Sequence, residues 1–383
     1  MRKSVVVLLV FMSLAASVLT AKAITASSVA DNTWTVKAPI QTPRSCLGVT
    51  AVNGKLYAIG GSNETGFLAS LPGADLAWFL SDFLDTNEEY DSATDTWTYK
   101  TAMPTPRIAF AIAVYQNKIY CIGGKTNNGL TGINEVYDPA TDTWETKTPM
   151  PTPRGWLKAN VLNGSIYLVG GYSPISVQLN EVYNPETDSW STKTPAPNSL
   201  IFGYNSAASA VFDNKIYFIP GEPEGDYNQI YDAETDKWSL GTSSPSGIST
   251  GVAVATTGVL APEKIYVFDY SNVRVYDPEN ESWKLGADML TKSRFNFGAA
   301  ILNDTIYVVG GYTYSWLPGN YAAVATNEQY TPFGYGTIPL KPEPEAFPLT
   351  LVAVAFVTSV TIITMILLIY FKKREKAKSG DEA

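Results

Sequence analysis

The amino-acid sequence predicts an all-β fold: a six-bladed β-propeller of four-stranded blades, closed by the N-terminal strand, plus one C-terminal transmembrane helix. Three observations carry this expectation. A unit made of a Gly-Gly pair, Glu-x-Tyr-Asp-Pro-x-Thr-Asp-x-Trp and a Pro-rich turn ending in Arg recurs along the chain, most clearly from Gly123-Gly124 to Trp144 and from Gly170-Gly171 to Trp190. The closing tryptophans are Trp34, Trp97, Trp144, Trp190, Trp238 and Trp283, and after one wide first gap they recur every 45 to 48 residues. A period of that size with strand-like content describes units that bury their faces only against neighbours. The last unit has three strands and no tryptophan of its own, whereas the chain begins with an unattached Thr33-Trp34-Thr35-Val36. Pairing the two closes a ring and removes exposed sheet edges.

Residues 107–148 show one unit in order. Ile108 to Tyr115 reads as a first strand, Gln116-Asn117 as a two-residue turn, and Lys118 to Ile122 as a second strand. Gly123-Gly124 ends it where backbone of positive φ or close approach is needed. Asn134 to Tyr137 is the third strand, Asp138 to Asp142 supplies turn chemistry, and Thr143 to Thr146 is the fourth. Second-strand tyrosines (Tyr57, Tyr120, Tyr167, Tyr217, Tyr266, Tyr307) and third-strand tyrosines (Tyr90, Tyr137, Tyr183, Tyr231, Tyr276, Tyr330) recur in the same way, so packing accounts for them before any function does.

Two apolar segments flank the repeats. Residues 1–23 have a basic start, an apolar run and Ala21-Lys22-Ala23, the form of a cleaved secretory signal; the alternative is an uncleaved anchor. The propeller is expected over 33–332 and a Pro-rich linker over 333–348. Residues 349–371 carry no charge and would span about 34 Å as a helix, enough to cross a bilayer core. The basic tail 372–383 then places the C-terminus in the cytoplasm and the repeats outside a plasma membrane. That tail is too short for a signalling domain and is suited to anionic lipid.

Composition excludes several classes. The whole chain holds 27 Lys plus Arg against 36 Asp plus Glu, a net charge of −9, and most of the basic excess at the two ends lies outside the repeats. The repeat region is therefore more acidic still, which disfavours nucleic acid as a partner. With no histidine, Ser-His-Asp and Cys-His catalysis, His-ligated metals and a histidine switch are ruled out. Cys46 and Cys121 are too few for a disulfide scaffold and read as packed thiols rather than a bridge. Asp95, Asp142, Asp188 and Asp236 recur singly, without the clustered oxygens calcium requires, so no metal and no cofactor is expected. Asn63, Asn163, Asn280 and Asn303 fit a glycosylation acceptor.

The double glycines Gly60-Gly61, Gly123-Gly124, Gly170-Gly171 and Gly310-Gly311, with the spaced Tyr and Trp, resemble the kelch repeat family over about residues 33–332. The resemblance implies a six- or seven-bladed propeller. Pro220-Gly221 and Asp269-Tyr270 depart from the double glycine, which puts the loop geometry of the fourth and fifth units in question. Kelch propellers include a copper radical oxidase of galactose, which needs histidine ligands and is excluded here, and an epimerase of sialic acid, which composition does not exclude.

Antiparallel order puts the loops between second and third strands, and the links between blades, on one face, expected to point outward. Insertions at about 62–86 and 312–326 depart from the repeat on that face and should touch across the closure. The first reads as a short helix capped by Asp75. Trp78, Phe79, Phe83, Tyr312, Tyr314, Trp316 and Tyr321 are the candidate binding residues: they either pack the insertions together or form an aromatic platform for a sugar or protein. Arg44, Arg107, Arg154 and Arg294 follow the inter-blade Pro turns. They are candidate anion contacts, with ordering of the turn through carbonyls or a neighbouring acid as the alternative. No catalytic set is identified. The sequence thus describes a membrane-anchored extracellular module for a glycan or protein partner, with a carbohydrate-active enzyme or a structural envelope component as alternatives.

Overall fold

A computed structural model describes residues 30–337 except 64–65, 68–81, 176, 199–200, 203–204, 221–226, 244–250 and 316–319, together with Ile369. The signal, the anchor and the tail lie outside the described residues, as does most of the linker. Among the described residues no helix is long and apolar enough to cross a membrane.

Six four-stranded antiparallel sheets follow one another along the chain. Blade 2 is typical: Ala111–Tyr115, Lys118–Ile122, Asn134–Asp138 and Thr143–Lys147, in that spatial order. Its first strand starts at Ala111 rather than Ile108. The cause is Ala109, whose φ of 53° breaks the extended run, leaving Ile108 in an isolated bridge to Lys125. Gln116 and Asn117 both have positive φ (46° and 61°), the two-residue turn whose twist matches that of the flanking strands. At Gly124, φ is 101° and a Cβ would stand 2.6 Å from the Ile108 carbonyl oxygen, so only glycine fits.

The first strands of the six blades touch in cyclic order around a central channel, that of blade 6 (Gly298–Leu302) meeting that of blade 1 (Gly48–Val52). Closure is made by the N-terminal strand, as the strand count predicts: Thr33–Lys37 pairs antiparallel with Asn327–Thr331, Trp34 lying opposite Tyr330.

The core is divided into six wedges, each buried between two neighbouring blades. In every wedge a second-strand tyrosine packs on the third-strand tyrosine of the next blade. Tyr57 and Tyr137 have ring centroids 5.8 Å apart, Tyr120 and Tyr183 6.0 Å, and the series returns to its start with Tyr307 and Tyr90 at 5.7 Å. Each of these third-strand rings also packs on its own blade's tryptophan at about 5 Å, as Tyr137 does on Trp144.

The tryptophan and the recurring aspartate together hold the preceding blade by one residue. Thr101, just beyond the fourth strand of blade 1, donates its N–H to Asp142 Oδ1 (2.9 Å) and accepts at its carbonyl from Trp144 Nε1 (2.9 Å). The arrangement repeats at Ala38 with Asp95 and Trp97, at Thr148 with Asp188 and Trp190, and at Thr194 with Asp236 and Trp238. Each aspartate also accepts from the tyrosine hydroxyl five residues before it, at 2.6–2.7 Å. At the closure, Ala287 is held by Asn32 Oδ1 (2.6 Å) and Trp34 Nε1 (2.8 Å), so an amide stands where the other joints have a carboxylate.

These contacts set the acid behaviour of the joints. The Tyr90 hydroxyl, with the Ala38 amide, holds the Asp95 carboxyl below its usual value. For Asp142, burial pulls upward, but the Tyr137 hydroxyl and the Thr101 amide hold the carboxyl down. A depressed acid stabilises the fold above its unfolded value of about 3.9, and that contribution is lost as pH falls through the folded value. Asp142→Asn, which copies Asn32, is expected to fold and to narrow the loss of urea resistance between pH 7 and pH 3. Urea melts at both pH values check this; an unchanged difference would remove Asp142 from the acid response.

Blade 5 departs most. Its first hairpin is longer than the others, running between Val252–Ala255 and Ile265–Asp269. Asp304 of blade 6 fills that loop, accepting from the backbone amides of Thr257, Val259, Leu260 and Ala261 at 2.6–3.1 Å. Burial would raise the Asp304 carboxyl, yet those amides keep it below its usual value. Beyond the last strand, residues 333–337 run along the same hairpin side, with Gly334 N donating to Asp31 Oδ2 and Gly336 N to the Leu260 carbonyl.

Candidate functional site

Four arginines stand out first by burial. Arg44, Arg107, Arg154 and Arg294 are each 0% exposed. Each pairs with the glutamate of its own blade's third strand: Arg44 with Glu88 (2.7 Å), Arg107 with Glu135 (2.5 Å), Arg154 with Glu181 and Arg294 with Glu328 (3.1 Å). The first three also donate to a second-strand carbonyl, of Ala58, Cys121 or Leu168, at 2.8–3.0 Å. Burial lowers the Arg294 guanidinium to about 10, Glu328 working against that shift. The glutamates also accept from the inter-blade turns, as Glu88 does from the amides of Gln41 and Thr42. These side chains order the turns from within and leave no face for an external anion.

Two blades vary this pair. In blade 4, Gln229 replaces the glutamate and accepts from the Asn198 amide (3.0 Å). In blade 5 the polarity is inverted: Arg274 occupies the glutamate's place, and Asp269, in the position of the first glycine, pairs with it at 2.8 Å. Asp269 therefore does the electrostatic work of the arginine from the opposite end of the strand pair.

Above this layer the two insertions meet. Tyr312–Ser315 and Asn320–Ala323 form a hairpin flanked by Arg294–Phe295 on one side and by Gly66–Phe67 of the blade 1 insertion on the other. Tyr314 lies opposite Tyr321 across the hairpin. Phe83 (8% exposed) and Tyr321 (7%) are buried together with Ile108 and Trp156. Tyr312 is half-buried, stacked on Phe295 at 5.3 Å and edge-on to Tyr321 at 6.3 Å. Lys125 Nζ sits 5.5 Å from the centre of the Phe83 ring. Phe83, Tyr312 and Tyr321 thus pack the added sheet together rather than stand as a bare platform. Trp78, Phe79 and Trp316, and the helix expected after Asp75, lie outside the described residues.

Beneath the added sheet lies the mouth of the channel. Cys46, Ala109, Trp156 and Asn296 occupy equivalent places two residues after the buried arginines, and all have φ between 49° and 56°. Their backbones join in sequence: Cys46 N donates to Asn296 O, Ala109 N to Cys46 O and Trp156 N to Ala109 O, at 2.8–3.2 Å. Cys46 and Cys121 do not form a disulfide, and burial pushes the Cys121 thiol up to about 12.

A cavity of about 110 Å³ opens between these mouth residues and Lys158 and is contiguous with a channel space of about 340 Å³. Lys158 lines both, and burial alone pushes its ammonium down to about 8. Sequence reasoning passed over this residue. A signal was present: counted from the buried arginine, Lys158 falls in the column that holds Gly48, Ala111 and Gly298 in blades 1, 2 and 6.

With this geometry in view, comparison with known proteins is decisive for the family. Residues 111–311 match the KLHDC2/KLHL20/DRC7 Kelch-repeats domain and residues 43–104 match the Kelch motif. The chain belongs to the kelch-repeat family. Among curated relatives, it is 35% identical over 98 residues to the influenza virus NS1A-binding protein homolog of Xenopus laevis, covering 26% of this chain and 13% of that one. It is 30% identical over 98 residues to alpha-scruin of Limulus polyphemus, covering 26% and 9%. The kelch chain therefore spans only a small part of the length of these relatives. The structure of YjhT shares the fold, with a TM-score of 0.57 at 17% identity, covering 76% of this chain and 96% of that one.

Proposed function

We propose that this kelch propeller is an interaction module at a cell surface, anchored through residues 349–371 with the repeats outside and the tail 372–383 in the cytoplasm. It engages a protein or glycan partner through the face that carries the insertions. The observation that carries the reading is the added four-stranded sheet, which joins blade 1 to blade 6 and departs from the repeat on one face of a rigid ring. Extra loops fixed on a rigid scaffold are where recognition resides. The kelch relatives support a protein as the partner class, one of them being named for the protein it binds.

The test is a screen of residues 24–338 on a glycan array and in pull-downs from surface extracts, beside a version with residues 64–84 replaced by a Gly-Ser loop. Loss of a partner with the insertion is the expected result. Retention of every partner by the replaced version would move recognition away from this face.

A second reading, an extracellular carbohydrate-active enzyme of the sialic-acid-epimerase kind, is favoured by the mouth cavity. Its lysine titrates near neutrality, as acid–base chemistry requires. Turnover of free sialic acid by the purified protein would establish it.

A further inference from the structure

The channel holds a chemistry that the outward-face reading does not use. Its walls are the first strands of the blades, and the side chains they contribute include Val49, Ile112, Leu157, Val254 and Ile301. Lys158 is the single charged side chain among the residues that line it. Among the described residues no carboxylate lies in ion-pair reach of its amine, and no charged group contributes to its shift. This is unusual in a chain with an acidic excess, where buried cations elsewhere are paired with glutamate or aspartate. The neighbouring blades place Gly48, Ala111 and Gly298 at the same level, so the lysine occupies space that small residues leave open.

We infer that the channel is a binding site for a short aliphatic carboxylate, its head on Lys158 Nζ and its chain along the apolar walls. A buried cation without a partner is costly, and an anionic head removes that cost through a charge-assisted hydrogen bond. An inorganic anion would leave the walls dry and unfilled; a neutral alkyl chain would leave the ammonium unpaired. Only a ligand with both parts matches both features, and small-molecule sites of this size are built from such a few polar groups in an apolar lining.

The experiment titrates full-length protein with hexanoate, hexanol and acetate by saturation-transfer NMR and calorimetry. Hexanoate is expected to bind saturably, with hexanol and acetate each at least tenfold weaker. Lys158→Ala, which reproduces the residue at this level in blade 2, is expected to weaken hexanoate at least tenfold and to leave hexanol unchanged or tighter. Lys158→Arg, which keeps the charge, is expected to retain hexanoate and serves as the readout if the alanine variant does not fold. Equal hexanoate binding by Lys158→Ala, hexanol matching hexanoate, loss of binding in a folded Lys158→Arg, or no saturable binding would each overturn the assignment.

Discussion

Arg154→Met is expected to destabilise the propeller by about 3–5 kcal/mol, because it leaves Glu181 buried beside apolar neighbours with its charge uncompensated. Arg154 spends its donors on Glu181 and on the carbonyls of Gly170 (2.8 Å), Leu168 (3.0 Å) and Thr152 (3.1 Å), so the loss also orphans backbone acceptors. Glu181→Gln alone should cost less, since blade 4 already uses a glutamine at this place. The double variant, Arg154→Met with Glu181→Gln, is expected to recover part of the stability lost in Arg154→Met. Denaturant melts of the three variants form a double-mutant cycle; strict additivity would show that the two side chains are not energetically coupled.

The second large effect concerns the closure. Trp34→Ala is expected to cost about 3–5 kcal/mol, as truncation of a large packed ring does. It removes the packing on Tyr330 (4.9 Å) and Phe268 (5.9 Å) and the hydrogen bond to the Ala287 carbonyl. Trp190 makes the same kind of contacts, but its blade is continuous in sequence, whereas the strand bearing Trp34 is held to its blade by pairing alone. Hydrogen exchange is therefore expected to lose protection over 33–37 and 327–331 in Trp34→Ala, and not over the corresponding strands in Trp190→Ala. Deleting residues 30–37 should go further, leaving Asn327–Thr331 as an open edge that associates with other copies. A monomeric, cooperatively melting deletion variant would show that the ring does not depend on this strand.

Much of the ring was legible because its signals are local or periodic. The turn at Gln116-Asn117, the double glycines, the tyrosine ladder and the orphan strand at Trp34 depend on residue type and spacing, and the structure places all of them as expected. The arginine layer was half legible. Recurrence marked Arg44, Arg107, Arg154 and Arg294, but their partners lie 27 to 44 residues away, and arginine and glutamate are usually exposed. The inverted pair of Arg274 and Asp269 was hidden further, since it appeared only as a missing glycine. Lys158 escaped because a lysine in a strand reads as a solvent-facing residue. Only alignment of the blades on their arginines shows that its column faces the channel.

The closure has one more consequence. Thr33 lies opposite Thr331, and Asp31 is hydrogen-bonded to Gly334, so the two ends of the folded domain emerge side by side. Where the polypeptide is interrupted is thus a matter of genetic history rather than of geometry. A circular permutant that joins residue 337 to residue 30 and opens instead in the turn between Lys147 and Arg154 would keep every blade and merely relocate the break. Ends so close together suit a domain that is inserted into another protein or presented from a single stalk.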